Sequence, residues 1–142
     1  MRHEGSDLRA FLCVFVLLSP ALLRLRLVLI TMDRRIELVI AEIESDVARS
    51  WETPELAALV NLSASRFRHL FKEESGMSVG VFLREQRLER AELLLRTTFL
   101  SIKEVMTEAG MTSMSHFVSY FKKRYGVTPS GYRKQLATFV KH

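Results

Sequence analysis

The 142-residue sequence is sparing with the residues that build reactive or cross-linked sites: it holds one cysteine, three prolines and six glycines. A lone thiol, Cys13, closes no internal disulfide and supplies no metal-ligand spacing. The four histidines, His3, His69, His116 and His142, lie far apart and form no HxxxH pair. There is no GxGxxG turn, no GK[ST] phosphate loop and no Gly-x-Ser-x-Gly elbow. No nucleophile–base pair or ligand cluster can be assembled, so an enzyme is the least supported class, and neither a cofactor nor a metal is expected. Strand-like alternation is missing too, and the expected fold class is all-α.

What is present is a chain able to fold. It is 48% hydrophobic, enough for a buried core, and 26% charged, outside the composition of a disordered tail. The net charge of +5 favours a polyanionic partner, and it is unevenly placed. Residues 33–60 carry three Lys/Arg against seven Asp/Glu. Residues 61–142 carry fourteen Lys/Arg against seven acids, a local balance of +7.

The first 31 residues differ from the rest. Ala10 to Leu23 is uncharged and broken at Ser19-Pro20, and Arg24 and Arg26 interrupt the apolar run that follows. About 20 unbroken apolar residues are needed to cross a bilayer, more than this run provides. Three readings stay open: a leader-like extension from a start placed too far upstream, a helix packed on the domain or a partner, and a membrane anchor. Met32, ahead of Asp33-Arg34-Arg35, is a sensible alternative start. We divide the chain into this extension, 1–31, and a domain, 32–142.

From Asp33 the pattern is helical. Ile36, Val39, Ile40, Ile43 and Val47 share one face. Thr53-Pro54-Glu55 supplies an N-cap, a first-turn proline and an acid for a helix that turns Leu56, Leu59 and Val60 inward. Asn61 suits the left-handed turn after it. Ser63 caps a third helix that stops at Gly76. A long helix over Val79–Arg96 buries Phe82, Leu83, Leu88, Ala91 and Leu95, with its Arg/Glu mixture read as a solvated face. Ser101-Ile102-Lys103-Glu104 is a capping box for a fifth helix ending at Gly110. A sixth runs from about Ser113 to Tyr125, and Thr128-Pro129 starts a seventh.

Within this layout one pattern occurs twice. Ser65-Arg66-Phe67-Arg68-His69-Leu70-Phe71-Lys72, closing at Gly76, is echoed by Ser115-His116-Phe117-Val118-Ser119-Tyr120-Phe121-Lys122, closing at Gly126. Each copy follows a short Ala-bearing amphipathic stretch and a turn, the layout of a helix-turn-helix unit. With Phe67 at zero on a helical wheel, Leu70 and Phe71 fall at about 300° and 40°, one inward stripe. Ser65, His69 and Lys72 lie opposite, flanked by Arg66, Arg68 and Glu73. In the second copy Phe117, Tyr120 and Phe121 form the stripe, with Ser115, Ser119 and Lys122 opposite. A helix enters a major groove only if its outward side chains reach base edges, and Ser, His and Arg can all do so. Lys72, Lys122, Lys123 and Arg124 lie further along and suit phosphates. Plainer roles compete: Ser65 and Ser115 as helix starters, Arg66 and Arg68 as solvated charges, and Met114 as packing instead of a thymine-methyl contact.

Residues 36–136 resemble the DNA-binding domain of AraC/XylS-type transcription regulators. The resemblance rests on Ser101-Ile102-Lys103-Glu104-Val105, Ala109-Gly110-Met111, Ser115-His116-Phe117, the run from Tyr120 to Pro129, and Gly131-Tyr132-Arg133. The first half adds Leu56-Ala57, Leu62-Ser63, Phe67, Leu70-Phe71-Lys72 and Gly76. The family implies seven helices, with two helix-turn-helix units joined by one long linker helix and set in successive major grooves of double-stranded DNA. On that resemblance Ser65, Arg66, Arg68 and His69 map to the first recognition helix, and Met114, Ser115, His116 and Ser119 to the second. Met111 stands where the family usually has Phe. The 31 leading residues are too few for the effector domain of longer members, so no small-molecule effector is expected and the protein resembles the short, stand-alone members. The resulting expectation is a cytoplasmic, sequence-specific transcription regulator, with RNA polymerase as a candidate partner. Its rivals are a helical protein-interaction module and a membrane-tethered regulator.

Overall fold

The computed structural model describes residues 32–139, so the readings placed on residues 1–31 lie outside the described residues. Seven helices follow in order: α1 Arg34–Ser45, α2 Thr53–Leu59, α3 Ala64–Ser75, α4 Val79–Thr97, α5 Ile102–Glu108, α6 Met114–Tyr125 and α7 Pro129–Phe139. Among the described residues there is no strand, and no helix is long and apolar enough to cross a membrane.

The helix starts follow from short polar side chains that satisfy first-turn amides. Ser63 accepts from the Arg66 amide at 3.2 Å, Ser78 from Val81 at 3.4 Å and Ser113 from His116 at 3.4 Å. Ser101 and Glu104 form the expected capping box, with bonds of 3.2 and 2.7 Å. At α1, Asp33 accepts from the Arg35 amide at 2.9 Å and from the Arg35 guanidinium at 2.8 Å. Helix α2 departs from expectation. Thr53 lies inside it, and Glu52 at the cap makes no side-chain bond, leaving Pro54 to set the first turn.

The two helix-turn-helix units repeat one another down to their turn bonds. Asn61 and Gly110 take positive φ, 54° and 78°. The Leu62 amide donates to the Ala57 carbonyl at 2.9 Å, and the Met111 amide to the Met106 carbonyl at 3.0 Å. Helices α3 and α6 both stop at a left-handed glycine, Gly76 and Gly126. Met111 packs half-buried on the second core, a place the flexible thioether fills without strain.

Each unit has its own core. Ile36, Val39 and Ile43 of α1 close on Leu56, Ala57, Phe67 and Phe71 in the first. In the second, Leu88, Ala91 and Leu95 of α4 take the part of those three α1 residues, at the same internal spacing, against Val105, Met106, Phe117 and Phe121. The start of α4 gives Val79 and Leu83 to the first core. At 100° per residue these two sets lie about 130° apart round the helix, so α4 has two apolar faces instead of one stripe. Phe82 and Tyr132 occupy matching places after their glycine turns. Phe82 lies edge-on to Phe71 at 5.5 Å, and Tyr132 edge-on to Phe121 at 5.7 Å.

Two features of the helices differ from expectation. Leu59, placed inward, is 54% exposed, because α2 ends at that residue and Ala57 takes the buried position beside Leu56. The charged face of α4 is not simply solvated. Arg96 pairs with Glu92 at 3.8 Å along the helix, but Arg87 donates to the carbonyls of Val47 and Arg49, at 3.2 and 2.8 Å. Arg124 of α6 reaches back to Glu85 and Glu89. The turn after α1 is thereby tied to the middle of α4. It also underlies the second unit: a Cβ on Gly110 would stand 2.6 Å from the Ala48 backbone.

Phe121→Ala should cost about 3–5 kcal/mol in a denaturant titration, because the emptied space is bounded by two helices and Tyr132. The paired Arg35 holds the Asp33 carboxyl down at about 2, from an ordinary 3.8. A depressed carboxylate stabilises the fold above its ordinary pKa and loses that contribution as the pH falls toward its folded value. Asp33→Asn is therefore expected to flatten the acid limb of the pH–stability curve between those two values, read by thermal melts.

Candidate nucleic-acid interface

Helices α3 and α6 hold their outward side chains by anchoring the opposite side. Phe67, Phe71, Phe117 and Phe121 are fully buried, which leaves no freedom of rotation about either helix axis. The structure accordingly exposes Ser65, Arg66, Arg68, His69 and Lys72 on α3, and Ser115, His116, Ser119, Lys122 and Lys123 on α6. Met114, at the start of α6, is also exposed, at 38%.

Several cations outside these faces are paired. Arg35, Arg49, Arg96 and Arg124 each meet a carboxylate. Among the described residues, Arg66, Arg68, Lys72, Lys122 and Lys123 do not. Two exposed surfaces, each with cations outside any ion pair, a serine hydroxyl and an imidazole, are suited to an anionic partner whose edges carry donors and acceptors.

Arg124 is not brought together with the others. It stands seven residues after Phe117, which returns it to within about 20° of the aromatic stripe. Its guanidinium bonds Glu89 at 2.6 Å, meets Glu85, and lies 5.5 Å from the Tyr125 ring. Burial works to lower its pKa, but Tyr125 and the two carboxylates outweigh that and hold it above its ordinary value. That placement was readable from the wheel. Tyr120 is the reverse case: half-buried, it shows its ring to Arg84 of α4 at 4.5 Å and to His116 at 5.9 Å. Arg84 thus joins the edge of the second surface, where its pattern along α4 had suggested only a solvated charge. Tyr132 donates to Glu92 at 2.5 Å, and Arg133 to the Leu100 carbonyl, so this Tyr-Arg pair braces α7 against α4 and the turn beyond it.

A family model described as a helix-turn-helix domain matches residues 56–135, both units together. The chain belongs to the AraC/XylS-type helix-turn-helix family. Among curated relatives, it is similar to an uncharacterized HTH-type transcriptional regulator of Haemophilus influenzae, 33% identical over 74% of this chain and 35% of that protein. An AraC-type transcriptional regulator structure from Chromobacterium violaceum is 28% identical with a TM-score of 0.67, covering 72% of this chain and 92% of that one. The DNA-binding domain of AdpA, a global transcriptional factor, in complex with a target DNA, is 25% identical with a TM-score of 0.68, covering 72% and 93%. The chain spans about a third of the length of the curated relatives it matches. In this AraC-type domain, α3 and α6 are the second helices of the two units.

Arg124→Gln is expected to lower stability by about 1 kcal/mol, a figure kept small by the partial exposure of all three charges. Removing Glu85 and Glu89 first should abolish that loss, and urea titrations of the single and combined variants read it.

Proposed function

We propose that this AraC-type domain is a sequence-specific transcription regulator that lays α3 and α6 in successive major grooves of double-stranded DNA. The observation that carries the reading is the pair of exposed faces whose lysines and arginines make no ion pair among the described residues, on two helices fixed by equivalent aromatic anchors. Two reading helices in one chain permit binding to an asymmetric site without a dimer. Ser65, Arg66, Arg68 and His69 on α3, and Met114, Ser115, His116 and Ser119 on α6, are the base-edge candidates. The two sets differ, so the units read different bases, and the more cationic α3 is the better suited to guanine. Lys72, Lys122 and Lys123 neutralise phosphates. Arg124, held by Glu85 and Glu89, braces α6 against α4 and has little left to offer a phosphate.

The regulator acts in the cytoplasm, where promoter binding is followed by contact with RNA polymerase or by occlusion of it. Neither a cofactor nor a small-molecule effector enters this account.

Arg68→Ala or His69→Ala is expected to weaken specific binding by about 1–3 kcal/mol and to relax preference at one position. Lys122→Ala should weaken all DNA about equally and lower the salt slope by about 1. Gel-shift titrations over a salt series read all three, and unchanged affinity and preference throughout would remove α3 and α6 from the DNA.

A further inference from the structure

The recognition helices do not account for all of the positive surface. A groove of about 540 Å³ runs beside α4, lined by Arg84 and Arg87 of α4, His116 and Tyr120 of α6, and Ser50 from the turn after α1. No Asp or Glu lines it. A second groove, of about 340 Å³, is lined by Arg68, His69 and Lys72 of α3 and has no acidic wall either. The two share Gly80, at the first turn of α4. Gly80 puts no side chain into either, and a Cβ there would find open space. Two acid-free grooves therefore flank Gly80, one at the outward face of α3 and one along α4 to the start of α6, and together they make an interrupted channel.

The two arginines in it are held in different ways. Arg84 is stacked at 4.5 Å on the Tyr120 ring, which fixes its plane, and its contact with neighbouring Glu85 is long, at 3.7 Å. Arg87 is anchored by two neutral carbonyls, those of Val47 and Arg49. Neutral acceptors orient a guanidinium but leave its charge uncancelled. Burial, with no carboxylate to oppose it, pushes the Arg87 pKa down from its ordinary value. An anion in the channel would relieve that cost.

We propose that α4 is a third DNA-contacting element, its channel holding the backbone phosphates that lie between the two major-groove sites, with Arg84 as the contacting cation and Arg87 as the fixed charge behind it. The proposal rests on the reading of α3 and α6 as recognition helices and adds to it. A strand leaving one major groove must cross the minor groove before the next, and the channel offers it charge along that interval. Such contacts carry register and salt dependence and no direct base information.

The test uses the full chain and its own selected site. Arg84→Gln should weaken binding about tenfold, lower the salt slope by about 1 and leave the selected sequence unchanged. Arg84→Lys, which keeps the charge, should restore most of the slope. Because Arg84 also packs on Tyr120, the DNA is altered as well. Methylphosphonates at the phosphates between the half-sites should weaken the wild type, and should have little further effect on Arg84→Gln. Silent methylphosphonates, with Arg68→Ala still relaxing sequence preference at its position, overturn the channel alone. If selection returns no preferred sequence, the reading of α3 and α6 fails and the channel with it. Saturable binding of inorganic phosphate to the free protein, together with silent methylphosphonates, would make the channel a free-anion site and also overturn the proposal.

Discussion

Helix α4 must complete two hydrophobic cores at once, and the rest of the domain depends on that demand. Val79 and Leu83 fill one core, and Leu88, Ala91 and Leu95 fill the other from a different side of the same rod. Nineteen residues of continuous helix are about 28 Å long and bend little. Neither unit can shift along or around α4 without pulling buried apolar groups into water, at about 25 cal/mol per Å² exposed. The two reading helices are therefore parts of one rigid object. The Arg87 bonds to the turn after α1, and the seat of Gly110 on Ala48, close the remaining freedom between the units.

Rigidity gives duplicated architecture its functional value. A DNA reader with two independently swinging units would lose orientational entropy at each groove; a pre-set pair loses it once. Equivalent turns, caps and aromatic anchors hold α3 and α6 alike, while their outward residues are free to differ. Arg66, Arg68 and His69 on one helix face the task with different chemistry from His116, Val118 and Ser119 on the other. Packing and reading are separated onto opposite sides of the same helices, so one can be kept while the other changes.

Much of this was legible in the sequence because its cause is local. Ser63, Ser101 and Ser113 cap where short polar residues should, Asn61 and Gly110 turn where positive φ is tolerated, and Phe67, Phe71, Phe117 and Phe121 fall on one stripe by helical period alone. Leu59 was misplaced because a seven-residue helix can end before its stripe does. Arg124 stands beside the lysines in sequence, although its seven-residue spacing from Phe117 turns it toward α4 and its carboxylates. The work of Arg87 was not legible at all. Its partners are backbone carbonyls some forty residues away in sequence, and no side-chain pattern announces them. The buried set of α4 was legible from its apolar residues, but not its division between two cores, because the partners on each side lie far along the chain.

The most direct test of a rigid two-helix reader is selection of binding sites from random DNA by the full chain, with the spacing between half-sites left free. A rigid pair should select one bipartite motif with two unlike half-sites about 10–10.5 base pairs apart, centre to centre, and a single spacing. A lone short motif, two motifs at variable spacing, or no enrichment would contradict it.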